Sequence, residues 1–380
     1  MMRLWCLVGL AGLLLSIFLP VASAVEGENA QAALRGLMAL PLGLLGLLVS
    51  APATLIGRDR QLPLWRLGLL LVLLLLACVM ALIWVHGPLA GRAAFGFWCF
   101  LIGLWALAWL AIDGVSALRS ENAVLQRSLD LLIPLLFGFW LIFLWEVIVT
   151  GAGVPQVLLP APSLIALKLA HSLDVLWADF QQTFLKAVLS GYALGCGSGL
   201  IVAVLVDRVP FLQRGLLPLG NFVSALPIVG VAPIMVMWFG FDWPSKTAVV
   251  VIMTFFPMLV NAVTGLHAAG QLEKELIHTY AAGYWQTLFK LRFPAALPFI
   301  FNALKINSTL ALIGAIVAEF FGTPIVGMGF RISTEVGRMN IDMVWAEIVV
   351  AAIAGSAFYG LMTLLERRYT FWHPSFRQRG

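Results

Sequence analysis

The chain has 380 residues, of which 62% are hydrophobic and only 11% are charged, and its mean hydropathy is +0.99. This composition excludes a water-soluble domain, because the surface of a soluble protein has to be largely polar. The formal net charge of +5 does not indicate a nucleic-acid partner, since basic loops on one face of a membrane explain it. We therefore predict an all-α, polytopic membrane protein whose partners include the lipid bilayer and no nucleic acid.

The N-terminal segment resembles a secretory signal. It has Arg3, then an apolar stretch, then Ala22-Ser23-Ala24 as a cleavage site, which predicts a signal peptide over residues 1–24. An uncleaved first transmembrane helix fits the same residues equally well. Both interpretations leave Val25 outside the membrane, so the predicted topology does not depend on the choice.

Apolar runs that are long enough to cross a bilayer recur along the whole chain. Four predicted helices come first, over about 4–23, 34–56, 67–86 and 93–112. The polar stretch 113–130 then links them to six further helices, over about 131–150, 183–206, 216–239, 246–264, 298–320 and 346–365. We predict three regions: the signal peptide or first helix 1–24, accessory helices with a linker over 25–128, and a six-helix core domain over 129–380.

Lys and Arg residues set the expected orientation. With the N-terminus inside, 15 of the 23 Lys and Arg residues fall in inward segments, seven lie outside or at the outer edge, and Lys305 lies within a span. This bias satisfies the positive-inside rule. We therefore expect a multi-pass membrane protein with a cytoplasmic C-terminus.

The longest inward loop, residues 265–297, contains the unusually polar stretch HTYAAGYWQTLFKLRFPAALP. Apolar residues at helical spacing predict two short amphipathic helices, and the small residues Ala281, Ala282 and Gly283 allow a sharp turn between them. Pro294 is predicted to end the second helix and Pro298 to open the next span. Such a helix pair fits a groove on a partner protein. A helix pair lying on the lipid surface is the alternative.

This loop resembles the coupling loop of ABC importer permeases. The family pattern is Glu-Ala-Ala, three residues, Gly, nine residues, and Ile-x-Leu-Pro. Here Glu275 stands at the Glu, Ala281 at the Gly and Leu291-Arg292-Phe293-Pro294 at the final element, so the spacing holds although only Glu275 and Pro294 match in identity. The resemblance implies the following ATPase-coupling residues: Glu275, Leu276, Ile277, Ala281, Gly283, Leu291, Phe293 and Pro294.

Other stretches resemble the sulfonate/nitrate/taurine-type permeases in order and spacing, over about residues 130–375. They are LWE (144–146), LLPAPS (158–163), LPIVGVAPIMVMWFGFDWPSK (226–246), FFPMLVN (255–261), WQTLFKLRFPAALP (285–298) and VAEF (317–320). The resemblance implies a type I ABC importer transmembrane fold with about four extra N-terminal helices. It implies a binding-protein-dependent importer of a small solute, namely a sulfonate, nitrate or a pyrimidine-like nitrogen compound.

The same resemblance implies a location in the bacterial inner (plasma) membrane, and it implies the partners. They are a second copy of the chain, a cytoplasmic ABC ATPase dimer and a periplasmic solute-binding protein. ATP and Mg are expected on the ATPase, so this subunit is expected to hold no cofactor or metal and to be no enzyme. The sequence agrees in showing no Walker motif, no nucleophile–base set and no HExxH or CxxC spacing.

A few polar residues fall within or near predicted spans, where a charge in hydrocarbon costs about 2.5–3.5 kcal/mol on insertion scales. The candidates for the translocation pathway are Asn261, Asn307, Glu319 and Trp238. Helix packing is the alternative, with Lys305 and Glu319 as an interhelical ion pair. For Glu146 and Lys305, near span ends, we favour packing.

Glycine and proline patterns predict two further features. Gly191, Gly195 and Gly199 recur every four residues, which indicates close packing of one helix on another. The prolines and glycines between Pro227 and Gly240 indicate a broken or kinked helix. An ion-coupled secondary transporter remains the alternative function. It would require coupling carboxylates at mid-membrane, where Glu319 is the one fair candidate.

Overall fold

The computed structural model describes residues 64–224, 227–322 and 326–372, and these residues form helices and connecting turns without a β-strand. Seven helices in this part of the chain are long and apolar enough to cross a membrane. The predicted all-α membrane fold is thereby confirmed. The signal peptide and the helices predicted over 4–23 and 34–56 lie outside the described residues.

The described chain divides into two compact units, which part after Leu164. The N-terminal unit contains helices α1 (Leu64–His86), α2 (Phe95–Ser116) and α3 (Ala123–Gly151). Asn122 caps α3, because its side-chain oxygen accepts a hydrogen bond from the amide of Val124 at 2.9 Å. The predicted boundary between accessory helices and core domain at residues 128 and 129 stays a prediction.

Bulky apolar side chains from all three helices form the core of the N-terminal unit, including Trp84, Phe97, Phe100, Trp140 and Phe143. Glu146 on α3 is only 6% exposed. Its carboxylate accepts hydrogen bonds from the Ser163 amide at 2.8 Å and the Ser163 hydroxyl at 2.7 Å, and it lies 2.9 Å from Nε2 of His86. The structure therefore places Glu146 in packing contacts, as the sequence favoured.

The C-terminal unit contains the remaining helices in chain order. They are α4 (Pro162–His171), which crosses the division, α5 (Leu173–Arg208), α6 (Pro210–Ser224), α7 (Ile228–Phe239), α8 (Trp243–His267), α9 (Gln271–Thr279), α10 (Tyr284–Glu319), α11 (Met328–Gly337) and α12 (Ile341–Tyr369). Two of them contain π-helical stretches, α5 over Gln181–Val188 and α10 over Leu288–Arg292.

Helix α8 lies at the centre of this unit and packs along both α5 and α10. The glycine stripe of α5 permits the first contact. A Cβ atom on Gly191 would stand 2.5 Å from Cβ of Val250, and one on Gly199 would stand 2.6 Å from the Phe255 carbonyl oxygen. Real Cβ atoms do not approach so closely, so only glycine fits at this spacing. The predicted role of the stripe in close packing is confirmed.

Several predicted helix boundaries are wrong. The span predicted over 216–239 is two helices, α6 and α7, because Pro227 has an extended backbone and interrupts it, as the predicted break in this stretch requires. Pro294 does not end a helix and Pro298 does not open one, since α10 runs unbroken from Tyr284 to Glu319. The π-helical stretch ends at Arg292, and Pro294 occupies the first turn of the α-helix that follows, where its missing N–H costs little.

The chain direction brings three helix ends together. Helices α5 and α8 end, and α10 begins, beside the loop that carries α9. We call residues 271–294 the handle and this side of the unit the handle end. Glu319 at the end of α10, Asp179 near the start of α5 and the short helix α11 lie at the opposite end.

Candidate functional site

The first half of the handle is helix α9, and none of its residues is buried. Its apolar residues recur every four positions, as an amphipathic helix requires. Leu272 is 80% exposed, Leu276 60% and Tyr280, just past the helix, 78%. The second half adds exposed aromatic rings, since Trp285 and Phe289 stack with centroids 5.9 Å apart. The handle thus presents an apolar surface that no described part of the chain covers.

A tight turn joins the two halves, as predicted from Ala281, Ala282 and Gly283. The amide of Ala281 donates to the carbonyl of His278 at 2.9 Å, and that of Gly283 donates to Oε1 of Gln286 at 3.2 Å. Ala281 has a φ of +54°, in the left-handed region that favours glycine. This is the position at which the family pattern has Gly, so the backbone geometry explains the pattern even though the side chain differs.

The backbone at Ala281 gives a first prediction. Ala281→Val is expected to destabilise the handle by about 1 kcal/mol beyond the strain that alanine already carries, because a β-branched residue is an outlier in this backbone region, whereas Ala281→Gly relieves the strain. Ala282→Val is the matched control, because Ala282 does not have a positive φ. Amide hydrogen exchange over α9 measures the effect. Equal exchange in the two valine variants would contradict the explanation.

The other coupling-loop candidates lie on both halves of the handle. Glu275 is exposed and accepts a hydrogen bond from Gln271 at 2.9 Å. Ile277 is half-buried, while Leu291, Phe293 and Pro294 are half-buried where α10 enters the unit. The structure therefore groups all eight candidates within one helix–turn–helix segment, and their role in coupling stays a prediction.

Sequence reasoning missed Asp207, the residue that ties the handle to the rest of the unit. It lies near the end of α5, and its side chain is only 1% exposed. It accepts hydrogen bonds from both terminal nitrogens of Arg292, with Nη1 at 2.8 Å, and from the Tyr284 hydroxyl at 3.0 Å. The sequence offered only a weak signal: Asp207 follows one apolar run and Arg292 precedes another.

The pathway candidates occupy three helices. On α10, Asn307 is fully buried and donates to the Thr254 carbonyl on α8 at 2.7 Å, and Glu319 is 2% exposed. On α8, Asn261 donates to the Pro257 carbonyl of its own helix at 2.8 Å. On α7, Trp238 is 72% exposed. Asn307 and Glu319 thus make contacts between helices within this chain, and the assignment of all four to a pathway stays a prediction.

The ion pair considered between Lys305 and Glu319 is not formed. Lys305 instead pairs with Glu366 on α12 at 2.8 Å. Glu319 accepts a hydrogen bond from Thr183 on α5 at 2.8 Å. The reason is geometric, since 14 residues of helix place Lys305 and Glu319 about 21 Å apart along α10.

Glu319 belongs to a buried cluster that holds the start of α11. The first amides of a helix lack partners within the helix and favour acidic groups nearby. Here the Gly329 amide donates to Glu319 at 2.7 Å, and the Gly327 amide donates to Asp179 at 2.6 Å. Asp179 also pairs with Arg331 at 2.8 Å. The cluster fixes α11 to α5 and α10 at the end opposite the handle.

Among the residues that the structure describes, no group of three or more His, Cys, Asp or Glu side chains is placed to hold a metal ion. The expectation for cofactors stays a prediction.

Comparison with known proteins identifies the family. A family model described as "binding-protein-dependent transport system inner membrane component" matches residues 191–371, from α5 through α12 and including the whole handle. A probable ABC transporter permease of Haemophilus influenzae is 31% identical over 241 residues, which make up 63% of this chain and 98% of the relative. The chain belongs to this family of ABC transporter permeases.

Two further relatives have named solutes. The riboflavin transport system permease of Chloroflexus aurantiacus is 31% identical to this permease, and the alignment covers 64% of this permease and 90% of the relative. The formylaminopyrimidine transport permease of Halalkalibacterium halodurans is 30% identical over 65% of the chain and 98% of the relative. These alignments leave about a third of this permease outside the relatives.

The resemblance to this family seen in the sequence is confirmed, and with it the type I importer fold and the function as a permease of a binding-protein-dependent importer. The family is one of inner-membrane transport components rather than enzymes. The comparisons favour an ABC permease over an ion-coupled secondary transporter.

Proposed function

We propose that the handle of this permease seats in a groove of a separate cytoplasmic ABC ATPase, which supplies the energy for import. The observation that carries the proposal is the uncovered apolar surface of α9, where Leu272, Leu276 and Tyr280 are each at least 60% exposed. A helix that presents apolar anchors at this spacing fits a hydrophobic groove. Burial of such anchors stabilises a complex by about 25 cal/mol per Å² of apolar surface before the costs of association.

In this proposal two copies of the chain form the transport pathway, with the handle ends and the C-termini in the cytoplasm. A periplasmic binding protein delivers solute to the opposite end, where α11 lies. ATP shifts the assembly because it binds one of two conformations better than the other. The handles carry that difference into the membrane helices, and hydrolysis of ATP resets them.

For the solute we propose a pyrimidine-like nitrogen compound ahead of a sulfonate or nitrate. Two relatives named above are permeases for riboflavin and formylaminopyrimidine, and both of these solutes contain a pyrimidine ring. Selectivity would depend largely on the binding protein that delivers the solute.

Uptake measurements test the proposal. Cells that express the permease together with a candidate ATPase and a candidate binding protein receive radiolabelled riboflavin, formylaminopyrimidine, taurine or nitrate in separate experiments. We expect uptake of one of them that requires the ATPase gene, and we expect orthovanadate to stop ATP-driven uptake in membrane vesicles. Accumulation by vesicles that contain the permease without the ATPase would refute the proposal.

A further inference from the structure

The two halves of the handle differ in how they attach to the membrane helices. Helix α9 has no buried residue, and its Lys274 reaches the His267 carbonyl only at 3.3 Å. The second half is held by the buried carboxylate of Asp207, which receives Arg292 and Tyr284. Beside the continuous helix α10, the handle is therefore connected to α5 through the buried carboxylate of Asp207.

Arg292 connects two helices at once. Its Nη1 and Nη2 bind Asp207 near the end of α5, and its Nε donates to the carbonyl of Leu266 near the end of α8 at 2.9 Å. A planar guanidinium can make both contacts because its five N–H groups have a fixed fork geometry. His267, beside Leu266, adds a contact, with Nε2 lying 3.5 Å from Oδ1 of Asp207.

Burial makes this connection stiff. A charged group out of water is costly unless it is paired, so separation of Asp207 from Arg292 would leave an uncompensated buried charge. The last residue of α5 adds a second contact, since the guanidinium of Arg208 lies 5.5 Å from the ring centre of Tyr284 and 5.7 Å from that of Trp285. The start of α10 and the ends of α5 and α8 are therefore expected to move together.

We propose that Asp207 and Arg292 are the positioning pair through which movement of the handle passes to α5 and α8. This inference rests on the proposed function, in which an ATPase moves the handle. It goes beyond the family pattern, because Arg292 occupies the variable position of the Ile-x-Leu-Pro element and Asp207 lies outside the pattern. The pair acts on transport through the geometry of the handle and does not touch solute.

Two spin-label positions test the inference in the full complex of permease, ATPase and binding protein. A label in place of Glu273 reports on the handle, and a label in place of Leu194, which is 60% exposed on α5, reports on the bundle. The probe is MgATP with orthovanadate, so the solute need not be known. The measurement is the distance between equivalent labels on the two copies, with and without nucleotide.

When Asp207 and Arg292 are both unchanged, we expect nucleotide to change the distance between the handle labels and the distance between the bundle labels. With Asp207→Asn we expect the handle label to respond as before. The fraction of molecules in which nucleotide changes the distance between the bundle labels is expected to fall about fivefold or more, as for the loss of a typical coupling between sites. Arg292→Lys keeps the charge but loses the fork, so it is expected to weaken the bundle response less than Asp207→Asn does.

Glu366→Gln is the matched control, because it neutralises the acid of another largely buried pair between core helices, that with Lys305. It is expected to leave both responses intact. A full bundle response in Asp207→Asn would overturn the inference, and so would the loss of both responses together, which would mean that Asp207 only maintains the fold. If Asp207→Asn does not assemble, a full bundle response in Arg292→Lys has the same meaning. The absence of any nucleotide response in the unsubstituted protein would instead overturn the proposed function.

Discussion

Replacement of Gly195 by leucine is expected to prevent assembly of the C-terminal unit, whereas replacement of Gly197 by leucine on the same helix is expected to be tolerated. A Cβ atom on Gly195 would overlap Oγ1 of Thr254 and stand 3.0 Å from the Val251 carbonyl oxygen. A Cβ atom on Gly197 would meet nothing within 4 Å. The two sites differ in contact but share the helix, the residue type and the substitution.

The magnitude follows from what must yield at Gly195. Overpacking a well-packed core usually costs about 1–3 kcal/mol, and the cost rises where the obstacle is backbone rather than a flexible side chain. Here the first obstacle is the buried Thr254 hydroxyl, which donates to the Val250 carbonyl, and the backbone of Val251 on the central helix α8 stands close behind it. Leucine adds four carbon atoms at a site that has no room for the first, so its cost is expected to exceed that range and to approach the roughly 5–15 kcal/mol by which native proteins are stable.

Size-exclusion chromatography of fluorescently tagged protein in detergent, followed by a thermal scan, measures both variants. We expect a monodisperse peak with an unchanged midpoint for Gly197→Leu and an aggregated or absent peak for Gly195→Leu. Gly195→Ala is an intermediate test, because one methyl group is enough to meet Thr254. Similar profiles for the two leucine variants would show that the glycine stripe does not determine the packing of α5 on α8.

Local sequence signals predicted those parts of the fold that depend on neighbours along the chain. Apolar length set the spans, small residues every fourth position set the α5 contact, and Ala281, Ala282 and Gly283 set the turn of the handle. In each case the physical cause lies within one continuous stretch of chain, so the sequence alone carries it.

The features that sequence reasoning missed depend on contacts between distant segments. Asp207 and Arg292 are 85 residues apart, and Lys305 and Glu366 are 61 apart. A charged residue in an apolar run indicates that a partner is needed, but the sequence does not show which residue that partner is. Glu319 shows the same limit, because the donors that bind it come from α5 and α11 rather than from Lys305 on its own helix.

Proline signals were ambiguous for a related reason. Proline lacks the backbone N–H, and its ring clashes with the carbonyl of the residue four positions earlier. A helix therefore ends at proline unless it can change its pitch or begin a new turn at that point. The helical geometry is interrupted at Pro227, between α6 and α7, whereas a π-helical stretch just before Pro294 lets α10 continue. The continuous α10 makes the second half of the handle a rigid extension of a membrane helix. That rigidity suits it to transmit movement from a partner.

Leu276→Asp is expected to weaken binding of the ATPase to the handle strongly while membrane insertion and folding stay intact. Leu276 is 60% exposed on a helix with no buried residue, so the permease itself loses no packing when the side chain changes. In the complex, loss of a buried leucine costs about 1.5–3 kcal/mol, and a carboxylate in an apolar groove adds a desolvation penalty. Affinity is therefore expected to fall at least about tenfold.

His278→Gln is the control, because His278 is also exposed on α9 but lies about 200° around the helix axis from Leu276. Binding of the ATPase to detergent-solubilised permease is measured for both variants by titration, and chromatography confirms that both are folded. If the apolar surface of α9 binds in a groove of the ATPase, Leu276→Asp lowers the affinity for the ATPase and His278→Gln leaves it nearly normal. A helix pair that lies on lipid predicts unchanged ATPase affinity in both, so the same titration decides between the two interpretations that the handle sequence left open.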